Sequence, residues 1–238
     1  MRLDRFLCEM NLGSRSQVKS LVRQGLVTVN GIPAKSPDQQ VNELADQISC
    51  RGERLQYQKY VYYMMNKPSG VVSATSDEVE RTVVSLLGKD AKAGIFPVGR
   101  LDKDTTGLLL LTDDGDLAHR LLSPRKHVDK TYLVAIAHRL TADDIRRLEE
   151  GLDIGEGKRL PPLPTLPARV TVLEGTEILL TLHEGKFHQV KRMLQAVDNQ
   201  VLALKRVSFG GLDLDESLQP GEYRQLTEEE LDRLMSHR

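Results

Sequence analysis

The sequence predicts an α+β protein: a small N-terminal helix-helix-strand domain over residues 1–45, a linker over 46–59, and a mainly antiparallel mixed α/β domain over 60–238. Three observations carry this reading. Residues 2–24 repeat apolar side chains at helical spacing in two short segments, with stop and cap signals between them. Residues 61–65 and 107–112 are short apolar runs ended by turn residues, the pattern of buried strands. Residues 168–173 and 177–182 alternate around Gly175 as an antiparallel hairpin.

In the first segment Leu3, Phe6, Leu7 and Met10 share one helical face, and Gly13 ends it. Ser14-Arg15-Ser16-Gln17 has the spacing of a capping box and opens a second helix. Its apolar face is Val18, Leu21 and Val22, and its cationic face is Arg15, Lys19 and Arg23. Leu26 to Val29 then alternates as a short strand into an Asn30-Gly31 turn. Through residue 35 there are six Lys or Arg (2, 5, 15, 19, 23, 35) against two acids (4, 9), so this unit has a basic side. The whole chain has a formal charge of −1, which argues against an indiscriminate polyanion binder and puts the weight on where charges lie.

Two cysteines, Cys8 and Cys50, are too few and too far apart for a metal cluster or a disulfide framework. Residues 1–13 lack the apolar core of a signal peptide, and no run approaches the ~18 apolar residues of a membrane span. The expectation is a cytoplasmic protein with no membrane partner.

In the larger domain, Val61 to Met65 reads as a strand and Asn66-Lys67-Pro68-Ser69-Gly70 as a turn. The helices expected are a possible one near 82–87, then 116–122, 142–150 capped by Thr141, and a terminal one capped by Thr227. Four prolines mark residues 155–167 as a surface loop, and 201–207 reads as another strand. In His183 to Leu194, the positions of Phe187, Val190 and Leu194 give one apolar helical face, with Lys191 and Arg192 beginning a cationic one. Residues 98–102 read as a second strand-like piece before the polar loop Lys103-Asp104-Thr105-Thr106. Asp102 thus stands where strand gives way to loop, close to Arg100 and Lys103, cations that would favour its ionised form.

Gly99-Arg100-Leu101-Asp102-Lys103-Asp104-Thr105-Thr106-Gly107-Leu108 resembles the signature of the ribosomal RNA pseudouridine synthases, in the branch typified by ribosomal small-subunit pseudouridine synthase A. Asn66-Lys67-Pro68-Ser69-Gly70 and Leu111-Thr112-Asp113-Asp114-Gly115 are similar to that branch too. The resemblance implies that Asp102 is catalytic and that Tyr132, in Lys130-Thr131-Tyr132, lies against the target base. Glu184-Gly185-Lys186-Phe187-His188-Gln189-Val190-Lys191-Arg192-Met193 resembles the motif whose basic residue pairs with the catalytic Asp. That role falls to Lys191, with Arg192 as the alternative holder. Arg100, Leu182 and Arg192 are expected to bind substrate, Leu182 lining the base pocket. Arg2-Leu3-Asp4, Ser14-Arg15 and Gly25 to Gly31 resemble the S4 RNA-binding domain, which implies that Arg5, Arg15, Lys19 and Arg23 contact phosphates.

Isomerising uridine oxidises and hydrolyses nothing, so neither cofactor nor metal is expected. Ser123-Pro124-Arg125 and residues 220–230 look closer to the small-subunit enzyme, so the expected partner is 16S ribosomal RNA or the assembling small subunit, met by a monomer. The alternatives are a 23S-directed synthase, or a non-catalytic ribosome-assembly factor that uses the S4 module with an inactive synthase domain. A metal-dependent phosphoesterase built on Asp113, Asp114 and Asp116 is a third, but those acids fit better as turn and cap residues.

Overall fold

Leu3, Phe6 and Leu7 are buried together on α1 (Leu3–Glu9), and Val18 and Val22 face them from α2 (Arg15–Arg23). The cap of α2 is as its sequence suggests: the Ser14 amide donates to the Gln17 side chain at 2.8 Å. β1 (Val27–Val29) and β2 (Ile32–Pro33) form a hairpin whose turn residues, Asn30 and Gly31, both take positive φ, 52° and 79°. β3 (Ile48–Cys50) and β4 (Glu53–Leu55) complete a four-stranded sheet in the order β2-β1-β3-β4. Residues 46–59 are therefore not a linker. Ile48 and Cys50 are buried beside Val27 and Val29, and Tyr57 stacks on Phe6 with ring centroids 5.5 Å apart. Strands of three residues turn only two side chains inward, too few for alternation to show in the sequence. The chain divides into two compact units, Met1–Tyr60 and Val61–Arg238. The structure, a computed structural model, describes all residues except 11, 44, 56, 58, 124, 125, 156–160, 237 and 238.

The second unit opens with β5 (Tyr62–Lys67), buried along its length, followed by 3₁₀ turns (Val84–Asp90) and β6 (Phe96–Pro97). Then come β7 (Thr106–Thr112), α3 (Gly115–Leu122), β8 (Lys130–Ile136) and α4 (Ala142–Glu150). The hairpin of β9 (Arg169–Val172) and β10 (Glu177–Leu182) leads to α5 (Gln189–Gln195) and the long β11 (Val201–Phe209). β12 (Leu212–Asp213), β13 (Tyr223–Gln225) and α6 (Glu228–Ser236) finish the chain. One sheet runs β13-β5-β7-β11-β8-β10-β9, with β6 beside β7 and β12 beside β11. All its pairings are antiparallel except β7 with β11. At that parallel contact Gly107 lies opposite Arg206, and a Cβ on Gly107 would come within 2.2 Å of the Arg206 carbonyl oxygen. Only glycine allows this approach, and with it the seating of the segment just before β7.

Asp113 and Asp114 are structural, as their positions suggested. Asp113 accepts from the Val61 amide at 2.7 Å, while Asp114 caps α3 through the Leu117 amide at 3.0 Å and accepts from the Tyr62 hydroxyl at 2.8 Å. Two expectations change. Residues 98–102 are irregular, not a strand: Phe96 and Pro97 pair with β7, the Val98 amide makes one more bond to the Leu110 carbonyl at 2.8 Å, and Gly99 at φ 77° then turns the chain away. The apolar face proposed for 187–194 also loses its first member. His188 sits in the left-handed region at φ 50°, so the helix begins at Gln189 and Phe187 lies outside it. Of the proline-rich segment, residues 156–160 lie outside the described residues; its flanks are held by Ile154 donating to the Leu163 carbonyl at 3.1 Å. Pro124 and Arg125, within the stretch that suggested the small-subunit branch, also lie outside.

Candidate active site

Asp102 sits in the irregular segment between β6 and β7, in a turn closed by the Thr105 amide donating to its carbonyl at 3.1 Å. The segment is held from beneath by Lys67, which is completely buried. Its Nζ donates to the carbonyls of Thr105 at 2.8 Å, Pro68 at 3.0 Å and Lys103 at 3.3 Å. Burial pushes this amine down to about 8, against the pull of Asp104 and Asp102. Three carbonyls thus share one donor, and that fixes the path of residues 103–105.

The cation facing Asp102 is not one of its sequence neighbours. Lys103 pairs with Glu80 at 2.6 Å, and Arg100 is exposed at the pocket rim. The partner is Lys191 of α5, whose Nζ is 3.1 Å from Asp102 Oδ2 and 2.7 and 2.9 Å from the two oxygens of Asp104. Burial pulls the Lys191 amine down, but the hydrogen bonds to Asp104 and Asp102 outweigh it and hold the amine above the ordinary lysine value. The same hydrogen bond holds the Asp104 carboxyl below its usual range. A lysine shared by two carboxylates stays charged, and the Asp104 carboxylate stays ionised beside it.

Arg100, Asp102, Tyr132, Leu182 and Lys191 line one pocket. Tyr132 comes from β8 and Leu182 from the end of β10, both almost fully buried, and they supply an apolar wall beside the carboxylate. Arg192 differs from expectation. One residue on from Lys191, it is turned about the helix axis, and its guanidinium donates to the carbonyls of Ile154 and Phe187. It braces the loop before α5 and does not line the pocket. In the other unit Arg15, Lys19 and Arg23 follow one another at i, i+4 and i+8 along one side of α2, flanking the buried Val18 and Val22. Arg5 is exposed and pairs with Glu9 at 2.8 Å.

Several groups at the pocket were not singled out from sequence. His188 Nε2 lies 3.7 Å from Asp102 Oδ1. Thr105 is buried at the pocket wall, and its hydroxyl has no partner among the described residues. Behind Tyr132, Arg206 is its register partner on β11, 2 % exposed, with Nε donating to the Leu108 carbonyl at 2.8 Å. Lys130 stands nearby, its amine pushed down to about 8 by burial and by the Arg206 charge. The usable signal was cations inside otherwise apolar strands, Lys67 closing β5 and Arg206 within β11, since a buried charge is costly unless it has a task. The loop carrying His188 is wired by Gln189, which accepts from the Lys186 amide at 2.8 Å and donates to Glu184 at 2.8 Å.

With this geometry in hand, comparison with known proteins is informative. The RNA pseudouridylate synthase family model matches residues 61–196, and the S4 domain model matches residues 1–48. An uncharacterized RNA pseudouridine synthase of Bacillus subtilis is 48% identical over 97% of this chain and 97% of its own length. The ribosomal small subunit pseudouridine synthase A of Vibrio cholerae is 42% identical over 97% of this chain and 98% of its own. That of Escherichia coli K12 is 40% identical over 97% and 98%. A crystal structure of a pseudouridylate synthase superposes with a TM-score of 0.68 at 39% identity, over 98% of this chain and 99% of that one. The segment bearing Asp102, Tyr132, Leu182 and Lys191 falls wholly within the matched family region, and the basic helix α2 within the S4 match. The chain belongs to the RNA pseudouridylate synthase family of isomerases and carries an S4 domain at its amino terminus.

Proposed function

We propose that the protein converts one uridine of 16S ribosomal RNA to pseudouridine, with Asp102 as the reacting carboxylate. The observation that carries this reading is one pocket wall: an Asp102 carboxylate 3.1 Å from the Lys191 amine, beside the Tyr132 ring and the Leu182 side chain. The reaction breaks the bond from ribose C1′ to ring N1, turns the uracil, and joins C1′ to ring C5. The C5 proton leaves and N1 gains one, so the product has the composition of the substrate. An ionised carboxylate starts the exchange by attacking C1′ or by taking the C2′ proton, and is regenerated at the end. Lys191, 3.1 Å away, orients the Asp102 carboxylate and faces its charge in either route. Tyr132 stacks on the detached uracil and Leu182 closes the other side, so the base turns without escaping. Arg100, at the rim, meets the nucleotide's backbone. The target nucleotide leaves its stack to reach the pocket.

The RNA is held in place by the S4 unit, where Arg15, Lys19 and Arg23, with Arg5 on α1, meet phosphates. The small-subunit target is supported by the Vibrio cholerae and Escherichia coli relatives, whose names assign them to the small ribosomal subunit. The protein acts as a monomer in the cytoplasm, where ribosomal subunits assemble. Deleting the gene and mapping pseudouridine across all ribosomal RNA tests the substrate. Loss of one site in 16S RNA, restored by the wild-type gene and not by an Asp102→Asn copy, is the expected result. Loss confined to 23S RNA would contradict the target, and no loss at any site would contradict the whole reading.

A further inference from the structure

Phe187 is the most exposed aromatic side chain beside the pocket. Its relative exposure is 72%, whereas Phe6 and Phe209 are buried at 1% and 0%. Nothing in the core requires it. The left-handed His188 (φ 50°) ends the loop before α5 and leaves Phe187 off the helix, and the Arg192 guanidinium holds the Phe187 carbonyl at 3.4 Å. The ring is ordered by a neighbour: it stacks on the His188 imidazole with centroids 3.7 Å apart and planes at 22°. That imidazole is itself 3.7 Å from the Asp102 carboxylate. A continuous aromatic pair therefore runs from the reacting carboxylate outward to solvent, with the far ring offering an open surface.

We propose that Phe187 is a stacking platform for the nucleobase adjacent to the target uridine. The inference rests on the synthase reading above and adds a subsite to it. Extruding a uridine into the pocket leaves its neighbour without a stacking partner on one side. An exposed ring at the end of the loop that carries His188 offers that base a new face beside the pocket. A phenylalanine ring has no hydrogen-bonding group, so it recognises the π-face common to all bases and sets no sequence preference. Stacking on the platform offsets part of the cost of unstacking the target and holds the strand while the uracil turns.

The chain has no tryptophan, so Phe187→Trp places a single reporter at this spot. The full-length variant is titrated with 16S RNA transcript while its pseudouridine formation is measured beside that of the wild type. Emission is expected to fall at least twofold on binding, with turnover kept. In the same assay Phe187→Ala is expected to raise KM about 5- to 150-fold, the range for losing one base stack, and Phe187→Tyr to return within about twofold of wild type. Unchanged emission and unchanged KM, with wild-type turnover intact, would overturn the platform and leave the synthase reading standing. Quenching by small-subunit proteins but not by RNA would assign the ring to a protein partner and equally overturn it. Absence of wild-type turnover on every ribosomal RNA would remove the synthase reading and this inference together.

Discussion

The two units carry their cations in opposite ways. On α2, Arg15 and Arg23 are exposed and Lys19 is half-exposed between them, a row of cations along one side of the helix. In the second unit three cations at and behind the pocket are individually assigned, Lys67 and Arg206 buried in strands and Lys191 half-buried on α5. Lys67 holds three carbonyls, Lys191 two carboxylates, and Arg206 a carbonyl beneath Tyr132. The contrast separates two jobs that a charge count merges. Exposed cations act by number and are screened by salt, so they suit a backbone of repeating phosphates. Enclosed cations act by position and are less screened, so they suit a site where one carboxylate must be held in one place.

If that division holds, the largest effect should come from Lys191. Lys191→Met removes the cation shared by Asp102 and Asp104 and leaves two carboxylates facing each other. A fall in kcat of about 10²- to 10³-fold is expected, with RNA affinity within a few fold of wild type. Single-turnover kinetics and filter binding on the same preparation would show it. A loss confined to binding would move Lys191 into the phosphate-contacting class and break the contrast.

Lys67 should give the next effect, and a signature in pH. Its amine titrates near about 8 in the folded chain, against the roughly 10.4 of a free lysine. Between about pH 8 and 10 the unfolded chain therefore binds more protons than the folded one, so stability rises with pH across that window. Below about pH 8 both states are protonated and the cost of burial is fully present. Lys130 acts in the same direction, while Tyr57 and Tyr223, pushed up to about 12, enter only above pH 10. Urea unfolding at pH 7.5, 8.5 and 9.5 should show a gain on the order of 2 kcal/mol for wild type, and a smaller one for Lys67→Met. The same variant should lose about tenfold in kcat, because residues 103–105 lose their shared donor. Equal slopes for the two proteins would mean that Lys67 is not titrating as described.

The smallest change is expected from the exposed face. Replacing Arg15, Lys19 and Arg23 together by Gln should leave kcat at saturating RNA within about twofold. It should lower the slope of log affinity against log salt by roughly 2 to 3. An unchanged slope would show that α2 does not meet phosphate.

Legibility followed the same divide between local and spatial information. Features decided by neighbours in the chain could be read directly: the Ser14–Gln17 cap, the Asn30-Gly31 hairpin, the β9–β10 pair, and the cap of α3 by Asp114. The stretches that carry Asp102, Tyr132 and Lys191 were also readable, because their motifs are continuous. What failed depended on space or on a single backbone angle. Chain proximity made Arg100 and Lys103 look like the cations beside Asp102, yet Lys103 turns to Glu80; the pairing with Lys191 was legible only through its motif, since that helix comes much later in the chain. Phe187 fitted an apolar helical face until the left-handed His188 cut it off. Arg192 stood next to Lys191 in sequence, but a helix turns each successive residue by about 100°, and it faces other carbonyls. The strands inside residues 46–59 were too short to show a period.

In the reaction proposed above, Asp102 performs the chemistry while the rest of the site places the base. Asp102→Asn keeps the size and shape of the side chain and removes only the charge. Purified variant and wild type are compared on 16S RNA by chemical mapping of pseudouridine, with RNA affinity and thermal unfolding measured in parallel. The account predicts no product above background from the variant, with affinity and melting temperature close to wild type. Product formed by the variant at a rate within tenfold of wild type would contradict it.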